Sequence, residues 1–309
     1  MKRVLVTGAS GRIGRRVVPL LLERGYAVRC LVHRTPLPAA WAAEVESVGA
    51  GEEQAVTGVQ AVVHLAGVMP PASDEDVFQV NVDGTRRLLR AVAENGKPCF
   101  IFASSDATYC TGWSLTGYSA PIAEDAAQHP TVFYGLSKVM GERLALYYEE
   151  TAGLPVVRLR FVWTLDPPEI LDLFTKAPYK DFVAPEERAR WEGNVVAIPL
   201  EQDGSPFTEH VCDARDAASA VVLALESRDA TGQAFNIAGP ASFRYTEVGP
   251  QVASRLGAEP VALRCAGIHS YSLSIDKARR LLGYSPKYRV EDSLDEAIHL
   301  CPKPSLQTN

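Results

Sequence analysis

The chain has 309 residues, 47% of them hydrophobic and 22% charged, proportions that exclude a disordered or fibrous protein and fit an ordinary globular one. A formal net charge of −6 supplies no electrostatic pull toward nucleic acid or an anionic membrane, so a small molecule is the expected partner. No apolar run approaches membrane-spanning length, and Met1 to Gly8 lacks the apolar stretch of a signal peptide. Six scattered cysteines, Cys30, Cys99, Cys110, Cys212, Cys265 and Cys301, form no CxxC pair, which points to reduced thiols, a cytoplasmic setting and no metal site.

Along the first 165 residues, short apolar runs alternate with amphipathic stretches. The runs are Arg3 to Thr7, Ala27 to Val32, Ala61 to Ala66, Cys99 to Ala103 and Pro155 to Phe161. They lack clean alternation, as strands buried on both faces do. Arg12 to Arg24, Val80 to Glu94 and Tyr134 to Glu150 carry apolar residues at helical spacing, and Gly25 and Gly96 stand where C-terminal caps belong. The pattern predicts an α/β protein: a Rossmann-type, doubly wound parallel sheet over residues 1–165. Beyond Phe161, prolines 167, 168, 178, 185, 199 and 206 interrupt the rhythm. Residues 166–309 are therefore read as a smaller, interleaved substrate-binding subdomain, with the run Ala234 to Ala238 returning to the large sheet.

Gly8-Ala9-Ser10-Gly11-Arg12-Ile13-Gly14 lies between the first strand and the first helix. Glycines there permit a tight turn and a close backbone approach to a pyrophosphate, while the helix N-terminus offers unpaired N–H groups. A dinucleotide site follows, with Gly8, Ser10, Gly11, Arg12, Ile13 and Gly14 as its loop. The loop lacks the Gly-Lys-Ser/Thr ending of a nucleoside triphosphate site. At the end of the second strand, Cys30-Leu31-Val32-His33-Arg34 carries no acid to grip ribose hydroxyls. His33 and Arg34 suit a 2′-phosphate better, so NADP is favoured and NAD remains an alternative.

Tyr134-Gly135-Leu136-Ser137-Lys138 opens a helix, and the four-residue spacing sets the phenol and the ammonium on one face. A phenol with a pKa near 10 needs such a neighbour to exchange protons at neutral pH, and the ammonium is expected to draw its pKa down. With these motifs in order, the sequence resembles the extended short-chain dehydrogenase/reductases (the family of nucleotide-sugar epimerases, dehydratases and related ketoreductases) over nearly its whole length. The residues that carry the resemblance are Thr7 to Gly14, His64-Leu65-Ala66-Gly67, Asn81-Val82-Asp83-Gly84-Thr85, Ala103 to Tyr109, Tyr134 to Lys138, Phe235 to Gly239 and Lys277 to Tyr284. The resemblance implies Ser105, Tyr134 and Lys138 as catalytic groups. It adds Leu65, Ala66, Gly67, Asn81 and Phe161 to the cofactor-binding residues, and Ser105, Asp106 and Trp163 to the substrate side. It also implies a homodimer built from the helices beginning near Asn81 and Tyr134. The lone histidines His64 and His210 are read as structural, and no GxSxG elbow supports a serine hydrolase.

Departures from the family pattern narrow the substrate. Nucleotide-sugar members resemble one another in a stretch near RxFNVYGP, which here reads Arg160-Phe161-Val162-Trp163-Thr164-Leu165-Asp166-Pro167. They also place an arginine before the HVxD-like motif to grip a diphosphate; here Ser205-Pro206-Phe207-Thr208-Glu209 precedes His210. A diphosphate would meet proline, aromatic and acid. Ala107 stands where sugar dehydratases carry a glutamate after the acid, so elimination is disfavoured. The segment Glu44 to Thr57 is short and lacks the family's acid near the adenine. The leading expectation is an NAD(P)-dependent oxidoreductase that moves a hydride to or from a ketone or secondary alcohol of a sugar-like or other polar metabolite. The alternatives are a nucleotide-sugar epimerase with retained NAD and a catalytically silent dinucleotide-binding regulator.

Overall fold

The computed structural model describes residues 2–33, 35–49, 51–109, 120–175, 178–183, 187–188, 190 and 193–300. Met1, Arg34, Cys110, Pro185 and Cys301, all named above, lie outside the described residues. The strands are β1 (Arg3–Thr7), β2 (Ala27–Leu31), β3 (Glu46–Val48), β4 (Ala61–His64), β5 (Cys99–Ser105), β6 (Val156–Phe161), β7 (Trp163–Leu165), β8 (Val195–Leu200), β9 (Thr208–Glu209), β10 (Val211–Asp213), β11 (Ala234–Ile237), β12 (Phe243–Arg244) and β13 (Glu259–Arg264). The helices are α1 (Gly14–Glu23), α2 (Glu52–Val56), α3 (Asp74–Val77), α4 (Thr85–Glu94), α5 (Phe133–Ala152), α6 (Pro167–Thr175), α7 (Ala214–Glu226), α8 (Tyr245–Leu256), α9 (Asp276–Leu282) and α10 (Val290–Leu300).

Seven strands form one sheet in the order β11-β6-β5-β4-β1-β2-β3, and every pairing in it is parallel. Successive side chains of β1 divide between its two faces: Val4 and Val6 join the core on one side, Leu5 the core on the other. The first of these cores is closed by Val17, Val18 and Leu21 of α1 and by Val221 of α7; the second by Leu88, Leu89 and Val92 of α4. Each fully buried Val, Leu or Phe contributes about 1.5–3 kcal/mol, which is why the strands read as largely apolar runs. Chain order reverses between β1 and β4, and a crevice opens there at the strand ends, where α/β sheets hold ligands.

Two differences from the sequence reading stand out in the first half. The short segment after β2 contributes the edge strand β3 and the helix α2. Its anchor is Arg29, buried in β2, which donates to the carbonyls of Ala55 and Thr57 at 2.8 and 2.7 Å and pairs with Glu46 at 3.0 Å. The helix predicted from Val80 begins earlier, at Asp74, capped by Ser73, and runs through a wide π-helical stretch at Phe78–Gly84 before α4. That wide turn carries Asn81 and Val82 inward. Periodicity of 3.6 cannot register a π-helical turn, so the start was misread.

The proline-rich half is more regular than its composition suggests. Pro167 and Pro168 open α6, where a missing N–H costs nothing, and Pro199 lies within β8, one strand of the two-stranded parallel pair with β13. A separate apolar cluster holds this half together, with Phe174, Tyr179, Phe207, Phe243 and Tyr245 in mutual ring contact. Ala234–Ile237 pairs with β6 at the edge of the large sheet.

Candidate active site

A cavity of about 520 Å³ lies at the ends of β4, β5 and β6. The loop after β1 forms its back wall. Gly8 adopts φ +69°, and a Cβ there would sit 2.7 Å from the Ala66 nitrogen; a Cβ on Gly14 would sit 2.2 Å from the Gly8 carbonyl oxygen. These contacts fold the loop onto the start of α1, where the Arg15, Arg16 and Val17 N–H groups donate to the Gly11 and Ile13 carbonyls. Gly67, which lines the cavity, is 3.2 Å by its absent Cβ from both Asn81 Oδ1 and Lys138 Nζ. A wall stripped of side chains beside an ammonium fits the pyrophosphate and ribose of a dinucleotide.

Ser105 ends β5 and is fixed there: its Oγ accepts from the Ala107 N–H and donates to Asp106, both at 3.1 Å. Tyr134, in the first turn of α5, hydrogen-bonds Ser105 through its hydroxyl. Gly135 makes this approach possible, since a Cβ on it would lie 2.1 Å from the Ala107 carbonyl oxygen. Lys138, one turn on, donates to the Ala103 carbonyl at 2.9 Å and stands 5.7 Å from the centre of the Tyr134 ring. The expected lowering of the tyrosine pKa by this ammonium does not occur in the structure. The phenol end of Tyr134 sits in the protein interior, and burial pushes its pKa up to about 12 against the lowering effect of Ser105. Burial likewise brings Lys138 down to about 8, so for both groups desolvation disfavours the charged form.

Ser105, Asp106, Tyr134, Lys138, Arg12, Ile13, Leu65, Gly67, Phe161 and Trp163 all line this one cavity. Gly8, Ser10, Gly11, Gly14 and Ala66 stand behind it and shape the loop. His33 is exposed beyond β2 and is not among the lining residues. Asn81 is also set back: its amide accepts from the Val68 N–H and donates to the Val68 carbonyl, both at 2.8 Å, and reaches Ser137 at 3.0 Å. It pins the Gly67–Val68 wall in place of lining it. Arg12 forms a two-pronged pair with Glu169 of α6, at 2.6 and 2.5 Å, which ties the glycine loop to the segment after Trp163.

His64 is held between two hydroxyls, Thr7 at 2.7 Å and Thr85 at 2.9 Å. Because Thr85 donates to the Asn81 carbonyl, its oxygen must accept from His64 Nε2–H, and Nδ1 then accepts from Thr7. The ring is neutral, with its pKa lowered to about 3 by burial and by the Lys138 charge. His210 links Gly239 to Leu273 in the same neutral form. Neither ring lines the cavity.

Two lining residues were missed by motif reasoning. Tyr271 comes from a late segment without any signature, and its hydroxyl is hydrogen-bonded to Asp106. Glu209, only 3% exposed, accepts from the Tyr245 hydroxyl at 2.7 Å. The one signal for Glu209 was an acid standing where the family pattern leads into HVxD.

Comparison with known proteins places this geometry. Residues 4–238 match the NAD dependent epimerase/dehydratase family. The chain is similar to an L-arabinose 1-dehydrogenase (NAD(P)(+)) of Haloferax volcanii, with 30% identity over 70% of this chain and 90% of that protein. It is also similar to a uronate dehydrogenase of Agrobacterium fabrum, with 32% identity over 60% of this chain and 70% of the relative. Among solved structures, a short-chain dehydrogenase/reductase superfamily protein of Agrobacterium tumefaciens with bound NAD superposes with a TM-score of 0.84 at 28% identity, over 97% of this chain and 98% of that one. Sheet order, glycine loop and matched residues agree on one conclusion: this chain belongs to the NAD dependent epimerase/dehydratase family and is a nicotinamide-dependent enzyme of the extended short-chain dehydrogenase/reductase type.

Proposed function

We propose that the protein is a cofactor-exchanging dehydrogenase or reductase acting on a ketone or secondary alcohol of a polar metabolite, with Ser105, Tyr134 and Lys138 as its catalytic groups. The observation that carries this reading is the hydrogen-bonded Ser105–Tyr134 pair in one cavity with Lys138 and Gly67. When bound, the nicotinamide supplies or accepts the hydride. Ser105 orients the substrate oxygen. In reduction Tyr134 gives its hydroxyl proton to that oxygen as the carbon accepts the hydride; in oxidation the proton returns. Lys138 holds the nicotinamide ribose and stabilises the phenolate left behind. Residues 166–309, interleaved with the sheet through Ala234–Ile237, form the substrate-binding part on this reading.

The cofactor favoured is NADP, on the strength of Arg34 and the absence of an acid at the end of β2. The protein is read as a cytoplasmic homodimer. Phe78, Val80, Leu136 and Tyr147, exposed apolar residues on the helices that start the two dimer motifs, support the dimer; the four described cysteines, all thiols, support the compartment. The deciding experiment is calorimetry with NADP and NAD on protein checked for copurified nicotinamide. Selective, reversible NADP binding, followed by turnover that consumes cofactor stoichiometrically, is the expected result. NAD that stays bound through turnover would move the assignment to the epimerase alternative. Sedimentation giving a monomer at micromolar concentration would overturn the dimer.

A further inference from the structure

The described walls of the active-site cavity hold two carboxyl groups and two cations. Asp106 and Glu209 both line it; burial, with the Asp106 charge adding to it, pushes the Glu209 carboxyl up to about 7 against the hydrogen bonds from Tyr245 and Tyr179. Arg12 is paired with Glu169 in a two-pronged contact, and Lys138, which donates to the neutral Ala103 carbonyl, keeps its charge on the cofactor side. Glu209 is not a surface acid turned inward by chance. It sits in the short strand β9, paired with β12, and Tyr245, itself fully buried, donates to its carboxyl at 2.7 Å; Tyr179 lies against the same two groups. Around the acids, Trp163 and Tyr271 present aromatic faces, while the Tyr109 hydroxyl is held by Asn236 and Arg160 and that of Thr164 by the Val162 carbonyl.

We propose that Glu209 is the charge-selecting residue of this site, and that the substrate is a neutral or cationic polyhydroxy compound whose hydroxyl or ammonium donates to the Glu209 carboxyl. A carboxylate or phosphate on the substrate would be enclosed beside two acids, with Lys138 on the cofactor side as the one described cation of the lining that no carboxylate pairs, and is rejected by repulsion and desolvation. The inference rests on the reading of the cavity as the active site. It goes beyond that reading by naming the residue that discriminates and the charge of what is accepted.

A matched series tests it: D-galactose, D-galactosamine and D-galacturonate, the same ring in three charge states, offered to the intact protein with NADP or NAD while cofactor reduction is followed. The expected result is a kcat/KM for galactose and galactosamine at least about tenfold above that for galacturonate. In Glu209→Gln, checked for native circular dichroism, the gap narrows by about tenfold or more, chiefly through KM for galacturonate. The proposal is overturned if galacturonate is the best of the three, if the gap is the same in Glu209→Gln, or if none of the three is turned over. If the variant fails to fold, the wild-type order alone decides. Tyr134→Phe separates the two levels: a wrong charge order with Tyr134-dependent turnover removes only the role of Glu209, whereas turnover that survives Tyr134→Phe removes the active-site reading itself.

Discussion

Arg160 clasps Glu142 in a buried, two-pronged ion pair, with both contacts at 2.8 Å, and the same guanidinium donates to the Tyr109 hydroxyl at 2.6 Å. Glu142 lies one helical turn after Lys138, so this pair sets the register of α5 on β6 directly beneath Tyr134 and Lys138. Ser104 and Gln128 occupy the remaining lone pairs of the carboxylate. The guanidinium and the Ser104 hydroxyl hold the Glu142 pKa below the usual carboxylate range against the effect of burial.

Glu142→Gln should therefore cost about 3–5 kcal/mol, because it leaves a buried guanidinium without its counter-charge. Chemical denaturation measures it directly. A loss below about 1 kcal/mol would show that the pair is incidental to stability.

Acid stability should fall from near-neutral pH. A histidine whose folded pKa lies below its unfolded value near 6.5 contributes stability that is fully present above pH 6.5 and lost as pH falls toward the folded pKa. That describes His64, lowered to about 3, and His210, lowered to about 4. Each adds a slope of up to about 1.4 kcal/mol per pH unit in its window. Denaturation curves between pH 7 and 4 should show this slope, and His64→Gln should about halve it, leaving the share of His210. Stability constant over that range would contradict the neutral, buried assignment of both rings.

Gly135→Ala should lower kcat while leaving nicotinamide binding nearly intact. The added methyl would meet the Ala107 carbonyl and lift the start of α5 away from Ser105, whereas the glycine loop is untouched. Overpacking of this kind costs about 1–3 kcal/mol, and a misplacement on the order of 1 Å at reacting groups costs about a hundredfold in rate. Steady-state kinetics beside calorimetric cofactor titration distinguishes this outcome from general unfolding, which would abolish both.

Tyr134→Phe should reduce kcat by about 10²–10⁴ with little change in cofactor affinity. With its pKa pushed up to about 12, the phenol stays protonated throughout the neutral range, which is the form that donates in carbonyl reduction.

Lys138 titrates near 8, so its ammonium is present below that pH and lost above it. Cofactor affinity should weaken as pH rises through about 8, and calorimetry on Lys138→Met should show no such limb. A wild-type affinity flat across that range would remove Lys138 from the cofactor site.

The fold was largely legible in the sequence. β1, β2, β4, β5 and β6 announce themselves because strands buried on both faces are mostly apolar, with Arg29 and Arg160 as exceptions that are paired inside the protein. The positions of Gly8 to Gly14 and of Tyr134 and Lys138 follow from chain order, since a loop between strand and helix and an i, i+4 pair are local facts. The edge strand β3 escaped notice because three residues pairing on one side need little apolar character, and their anchor, Arg29, is a charged residue in a buried strand. The early helical start at Asp74 escaped because a π-helical turn breaks the spacing on which the reading depends.

What the sequence determined by itself was everything fixed by neighbours along the chain: the glycine loop, the order of strands and helices, and the presence of serine, tyrosine and lysine at recognisable stations. Only the tertiary structure decided which charges line the cavity. Arg12 is withdrawn by Glu169 from 157 residues away, and Glu209, held by Tyr245 across 36 residues, joins Asp106 on the cavity wall. Electrostatic partners and desolvation depend on distance in space, and no local pattern encodes them. For the same reason the Tyr134 pKa rises where spacing alone led to the expectation of a fall.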